Sequence, residues 1–186
     1  TGIGHTRWAT HGEPNDVNAH PHQSMSGELV LIHNGIIENY HSIKKELTHR
    51  GYVFKSETDT EVLVNLIEEI KKNEQVSLSE AVRKALGEVI GAYAIVVMSS
   101  QEPGTLVVAK KSSPLVIGIG HEGDFYLASD ATPIVEYTKN VVYLEDGEIA
   151  EMQPGKELRL FNIKKQNVTP YIQELEMQLE QLEKGG

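Results

Sequence analysis

The sequence predicts an α+β protein in which helices pack on antiparallel sheet. Residues 36–89 contain most of the helical periodicity, whereas residues 92–163 contain short strand-like runs separated by turn-rich links. Strands joined by tight turns usually pair antiparallel. The chain has 186 residues, of which 39% are hydrophobic and 24% charged, which is typical of one globular domain with a substantial core.

The first half of the chain supplies three predicted helices after a polar start. Residues 1–8 are predicted as a short strand, 9–26 as a long polar loop, and 28–32 as a buried strand. His33, Asn34 and Gly35 then predict a turn. The predicted helices cover 36–47 with Gly51 as C-cap, 58–70 after a capping box at 58–61, and 77 to about 91 after a second capping box, and a short strand is predicted at 52–54.

The second half is predicted to be mostly strand. The expected strands are 92–98, 105–110, 115–119, 125–128, 141–144, 148–152 and 158–163. One or two helical turns are expected at 131–137. From Pro170 the apolar period is helical again, so residues 1–169 are interpreted as the domain and 170–186 as the start of a linker helix.

Composition and charge argue against several classes of function. The chain has 27 acidic and 17 basic residues, a formal charge of −10, and no Lys/Arg run, so no nucleic-acid partner is expected. No apolar stretch approaches the roughly 20 residues that cross a bilayer. There are no cysteines, which excludes a disulfide framework and a thiolate metal site, and no motif requires a cofactor. A cytoplasmic protein that handles small molecules is expected.

The polar loop and the turn after it contain the densest set of reactive side chains. Arg7 offers a planar fork suited to a carboxylate, and Asp59 offers a negative charge for an ammonium, so together they fit the α-groups of an amino acid. Asn34 and Gly35 could direct an amide and a backbone N–H at one point, which is how an oxyanion hole is built. The alternatives are a plain turn glycine at Gly35 and a helix N-cap at Asp59.

Several ordered motifs resemble one family of enzymes. The glutaminase domains of the glucosamine-6-phosphate synthase family, also called glutamine–fructose-6-phosphate aminotransferases, are similar along nearly the whole chain. The segments that carry this resemblance are GHTRWATHGEP at 4–14, NAHPH at 18–22, HNGIIENY at 33–40, SETDTE at 56–61, SPLVIG at 113–118 and ASD at 128–130.

The resemblance implies an N-terminal-nucleophile hydrolase fold, a four-layer αββα sandwich, and a glutamine pocket. Arg7 would bind the α-carboxylate of L-glutamine and Asp59 its ammonium, while Thr10 and His11 would shape the pocket. Trp8 would lie where the site meets the route taken by ammonia, with a packed core indole as its alternative.

The resemblance also implies the chemistry and the partners. Asn34 and the backbone N–H of Gly35 would form the oxyanion hole. Ammonia would pass to sugar-isomerase domains of a full-length, homodimeric protein. Other glutamine amidotransferases of this class, such as amidophosphoribosyltransferase, remain an alternative.

The family's nucleophile is an N-terminal cysteine, and this chain has none. An N-terminally truncated fragment, inactive alone, is therefore expected. Thr1 as the nucleophile and a domain that binds glutamine or a partner without chemistry are two alternatives. A third is a metal site built from His20, His22 and Asp16 with one of His5, His11 or His33.

Overall fold

The computed structural model describes residues 1–5 and 12–175. Within them the chain forms three helices, α1 (Tyr40–His49), α2 (Asp59–Glu74) and α3 (Leu78–Glu88), besides a 3₁₀ helix at Asp16–Asn18. The strands are β1 (His22–Gln23), β2 (Leu29–Ile37), β3 (Gly91–Ser99), β4 (Leu106–Lys111), β5 (Val116–Ile119), β6 (Phe125–Ala128), β7 (Asn140–Tyr143), β8 (Glu148–Met152), β9 (Arg159–Asn162), β10 (Asn167–Val168) and β11 (Gln173–Glu174). No helix in these two stretches is long and apolar enough to cross a membrane.

Local sequence signals explain where the helices begin. The hydroxyl of Thr58 accepts the N–H of Glu61 and caps α2, and Ser77 caps α3 by accepting the N–H of Glu80. Gly51, with φ of +97°, follows α1 as predicted. Both capping signatures are therefore confirmed, although Glu61 accepts from the N–H of Ser56 at 2.7 Å rather than from its own cap residue.

The strands form two antiparallel sheets. The larger sheet has the order β1-β2-β3-β4-β8-β9-β10 and the smaller one the order β11-β7-β5-β6. The longest pairing joins β2 to β3 over nine residue pairs, from Leu29 opposite Ser99 to Ile37 opposite Gly91. This pairing fixes which residues of β2 face each side of the larger sheet.

Apolar clusters define the order of the layers. One cluster joins α1, α2 and α3 to one face of the larger sheet, and a second lies between the sheets and includes Val96, Val108 and Ile117. A third cluster packs Ile134, in the turn segment that follows β6, against Val116 and Val141 of the smaller sheet. The fold class, an α+β sandwich of antiparallel sheets, is confirmed.

The seven strands predicted between 92 and 163 are confirmed, with ends that shift by about one residue. Three two-residue strands, β1, β10 and β11, were not predicted. These short strands depend on partners elsewhere in the chain, which a local pattern does not reveal. Residues 131–137 form the one or two helical turns that were expected, since the N–H of Val135 bonds the carbonyl of Ala131 and the N–H of Thr138 bonds the carbonyl of Ile134.

Five predictions at other places are wrong. The turn at 33–35 and the helix start at 36–37 are instead the second half of β2, because β3 pairs with these residues. Residues 1–5, two of them glycine, and 52–54 form no strand because no ladder partner meets them. The helix expected from Pro170 is replaced by β11, which pairs with β7, and residues 176–186 lie outside the described part.

Candidate functional site

Strand β2 places neighbouring residues of the candidate site on opposite faces of the larger sheet. Asn34 pairs with Ala94 and lies on the face directed at the smaller sheet, whereas His33 contacts α2 on the other face. The Asn34 side chain is exposed, while His33 is 3% exposed. The strand therefore presents one amide to an accessible cleft and buries the imidazole beside it.

Gly35 occupies a position that no other residue fits. Its φ is +124°, and a Cβ built on it would lie 2.2 Å from the carbonyl oxygen of Ala92. Both features require glycine, because other L-residues avoid this φ and the nearest atom belongs to backbone that is already paired. The glycine lets β2 pass close against β3 at the site.

Asp59 lies at the first position of α2 and reaches the end of β2. Its Oδ2 accepts the backbone N–H of Ile37 at 2.8 Å and lies 4.0 Å from Nδ1 of His33. The residue is 3% exposed, and the helix N-terminus favours its negative charge. The structure thus brings Asp59 beside the segment that contains Asn34 and Gly35.

Four histidines pack beside this segment, and two threonine hydroxyls contact three of them. Thr60 Oγ1 lies 3.2 Å from Nε2 of His20 and 3.1 Å from Nδ1 of His33. Thr58 Oγ1 lies 3.1 Å from Nε2 of His22. Sequence reasoning missed both threonines as site residues, although the capping box that contains them was recognised.

The same histidines do not converge on a metal. The rings of His5 and His20 stack with centroids 4.2 Å apart, and those of His20 and His22 meet edge to face at 4.9 Å. Among residues 1–5 and 12–175, no group of three or more His, Asp or Glu side chains is arranged to hold a metal ion. Within these ranges the arrangement of His5, His20, His22, His33 and Asp16 gives the metal alternative no support, and His11 lies outside them.

A cavity of about 250 Å³ opens between the two sheets at Asn34. His5, Ala94 and Leu127 are among its lining residues. Nε2 of His5 donates to Oδ1 of Asn34, since an amide oxygen can only accept. This bond orients the amide and leaves its N–H groups to donate elsewhere.

Four of the residues predicted to form the pocket, Arg7, Trp8, Thr10 and His11, lie outside the described residues. Of the predicted set, the structure therefore describes Asn34, Gly35 and Asp59. Asn34 and Gly35 are neighbours in β2, and Asp59 bonds the N–H of Ile37 two residues farther along the same strand.

Comparison with known proteins gives this arrangement a family. A glutamine amidotransferase domain matches residues 5–136, which include Asn34, Gly35 and Asp59. The chain belongs to the glutamine amidotransferase domain family. Glutamine–fructose-6-phosphate aminotransferase (isomerizing) of Bacteroides thetaiotaomicron is 61% identical over 185 residues, and that of Chlorobaculum tepidum 55% over 188. Both alignments cover all of this chain but only 30% of the relative.

Solved structures of glutamine amidotransferases share the fold. The glutamine phosphoribosylpyrophosphate amidotransferase of B. subtilis, complexed with ADP and GMP, is 28% identical, with a TM-score of 0.67 over 86% of this chain and 34% of that one. A structure described as the allosteric regulatory enzyme of purine biosynthesis is 30% identical, with a TM-score of 0.68 over the same shares.

Proposed function

We propose that this chain is the glutamine-binding, glutaminase part of an enzyme that makes glucosamine 6-phosphate from fructose 6-phosphate and L-glutamine. The single observation that supports this most strongly is 61% identity, over the full length of the chain, to a glutamine–fructose-6-phosphate aminotransferase. Glutamine would lose its amide as ammonia, which would pass to sugar-isomerase domains. Those domains would belong to the part of the relatives, about 70% of their length, that this chain does not match.

The proposed binding residues fall into two groups, one for each end of glutamine. Asp59 binds the α-ammonium and Arg7 the α-carboxylate, because a buried carboxylate and a planar guanidinium are complementary to these charges. Thr10 and His11 shape the same pocket, and Trp8 lies on the ammonia route. At the other end of the substrate, the Asn34 amide and the Gly35 N–H stabilise the oxyanion that forms when the amide carbon is attacked.

Further parts of the proposal concern the whole protein. The nucleophile is a cysteine thiol that the 186 residues do not contain. The protein is cytoplasmic and homodimeric, and residues 176–186 continue toward the isomerase domains as a linker.

Amidophosphoribosyltransferase activity is the second candidate, because both solved structures compared above align with this domain. Their identities of 28% and 30% are about half those of the two aminotransferases. The sugar-phosphate branch therefore explains the sequence better.

Isothermal titration of L-glutamine into the 186-residue chain tests the proposal. Asp59→Asn is the informative variant because its amide oxygen can still accept the Ile37 N–H while the charge is lost. Loss of a buried charged partner costs roughly 2–5 kcal/mol, so affinity is expected to fall at least about 30-fold. Asp16→Asn, the same change at an exposed residue, is the matched control and is expected to bind glutamine as the parent chain does.

A second ligand separates the ammonium contact of Asp59 from an indirect effect through Ile37. Glutaramic acid is glutamine without the α-amino group, so it cannot use an ammonium site. The parent chain and Asp59→Asn are expected to bind glutaramic acid equally weakly. If Asp59→Asn weakens both ligands by the same factor, Asp59 acts only through Ile37 and the ammonium role is refuted. If the folded parent chain binds neither ligand, the proposal of a glutamine pocket fails.

A further inference from the structure

The buried hydroxyl of Thr60 joins two histidines from different segments of the chain. Thr60 lies in the first turn of α2, is 1% exposed, and bonds His20 from the polar loop and His33 from β2. His33 has a second contact, because its Nε2 lies 3.4 Å from the carbonyl oxygen of Ala92 in β3. One chain of contacts thus runs from the loop through the helix to both strands.

The donor and the acceptor of each hydrogen bond in this series follow from which atoms can carry a proton. The Ala92 carbonyl can only accept, so Nε2 of His33 must carry a proton. In a neutral ring Nδ1 of His33 then has none and accepts the hydroxyl proton of Thr60. Because that proton is used, the Thr60 oxygen accepts from His20, whose Nε2 must be the protonated nitrogen.

This series of hydrogen bonds ends at the Ala92 carbonyl oxygen, which lies close to Gly35 of the candidate oxyanion site. The carbonyl oxygen of Ala92 is the atom that a Cβ on Gly35 would meet at 2.2 Å. Its position therefore limits where the Gly35 peptide can lie. Ile36, which follows Gly35 in the sequence, pairs with Ala92. A shift of Ala92 would therefore also displace Ile36.

We propose that Thr60 is a positioning residue for the oxyanion site, because its hydroxyl orders His20, Thr60, His33 and the Ala92 carbonyl into one donor chain that holds Gly35 in place. The inference rests on the proposed function of Asn34 and Gly35. Thr60 itself touches neither the amide of Asn34 nor the carboxylate of Asp59 in any hydrogen bond of the described residues, so its effect on chemistry would be indirect.

Nitrogen NMR of the 186-residue chain tests the donor chain without any ligand. The ¹⁵N signals of labelled histidine distinguish a neutral ring with its proton on Nε2, a neutral ring with its proton on Nδ1, and a charged ring. His20 and His33 are both expected to carry the proton on Nε2, with assignments made from His20→Gln and His33→Gln. A proton on Nδ1 of His33 in the parent chain would overturn the proposal, even if every Thr60 variant failed to fold.

Thr60→Val and Thr60→Ser separate the hydroxyl from simple packing. Valine has almost the same shape as threonine but cannot donate, so the Nδ1 signal of His33 and the amide signal of Gly35 are expected to shift. Serine keeps the hydroxyl and is expected to restore both signals. Unchanged signals in Thr60→Val, or no restoration in Thr60→Ser, would refute the role of the hydroxyl.

Ligand binding then tests the link to the oxyanion site. Thr60→Val is expected to bind L-glutamine within about twofold of the parent chain. It should bind L-methionine sulfone, whose sulfonyl oxygens mimic a tetrahedral intermediate, about tenfold more weakly. Equal weakening of both ligands would refute positioning at this site. If the parent chain has the expected tautomers but binds neither ligand, the proposed function fails and the positioning role fails with it.

Discussion

Replacing Gly35 with alanine should reveal how tightly β2 and β3 are fitted at the site. A methyl group there would lie 2.2 Å from the Ala92 carbonyl oxygen, whereas real contacts of this kind are at least 3.0 Å, so the backbone would have to move by about 0.8 Å. The φ of +124° adds strain of about 1–3 kcal/mol. Disturbing one or two ladder hydrogen bonds adds about 1 kcal/mol each. Gly35→Ala is therefore expected to lower the free energy of unfolding by about 2–5 kcal/mol.

Two other glycines provide matched controls. Gly27 has φ of +79° but no atom within 4 Å of the place that a methyl group would take, so Gly27→Ala should cost only the conformational strain of about 1–2 kcal/mol. Gly87 is in α3 with open space around it, so Gly87→Ala should stabilise by about 0.5–1 kcal/mol. Urea denaturation followed by circular dichroism measures all three. If Gly35→Ala costs no more than Gly27→Ala, the close contact with Ala92 is not a constraint on the fold.

Two further predictions concern ionisable side chains that have no part in the proposed binding or chemistry. The buried Tyr93 hydroxyl has no hydrogen-bond partner among the described residues, and burial raises its pKa to about 12, so Tyr93→Phe should leave stability unchanged or raise it by up to about 1 kcal/mol in urea denaturation. Tyr52→Phe is the control and should cost about 1 kcal/mol, because burial and the neighbouring Glu69 carboxylate raise the pKa of the Tyr52 hydroxyl, so this hydroxyl has a polar partner. Equal effects of the two substitutions would refute this difference. The hydrogen bonds from Arg83 lower the pKa of Glu80 to about 2. That pair should stabilise the fold by about 1–3 kcal/mol above pH 4.5 and lose this effect as the pH falls toward 2. The difference in unfolding free energy between the parent chain and Glu80→Gln should therefore disappear over that range. A difference that does not change with pH would refute the role of the ion pair.

The helices could be predicted from sequence because their signals are local. Thr58 and Ser77 each precede an acidic residue by three positions, and the hydrogen bond that this spacing predicts forms within one turn. The strands after residue 91 were also predictable, since turn residues bound each of them. In these places the sequence within about ten residues determines the element.

The segment 33–37 shows where local reasoning fails. Asn34-Gly35 has the composition of a turn, and the spacing of Ile36 and Ile37 relative to Tyr40 is helical. The structure continues β2 through all of them because β3, more than fifty residues later, supplies nine paired positions. The glycine is required by a close approach between strands, which a single sequence does not distinguish from a turn.

The candidate site could be predicted mainly through resemblance rather than through residue chemistry. Physical reasoning suggested Arg7, Asp59 and Asn34 as binding groups but placed the last of these on a turn. The spacing of His20 and His22, with a carboxylate nearby, suggested a metal alternative, and the structure shows contacts of these histidines with other rings and with threonine hydroxyls. The orientation of an imidazole depends on partners such as Thr60 that are distant in sequence from His20 and His33.

The contact between Asp59 and the Ile37 N–H connects the two groups of residues that would bind the two ends of glutamine. Asp59 would bind the ammonium, and Asn34 with Gly35 would bind the amide, but these groups belong to α2 and β2, which are separate elements. The 2.8 Å hydrogen bond to Ile37 holds the helix N-terminus two residues from Gly35, so it sets the distance between the two binding points. In the proposed function, a carboxylate in this position would serve both the strand and the ligand. Alanine at Asp59 would therefore remove two functions at once, and only a substitution that keeps the acceptor can measure the contribution of the charge.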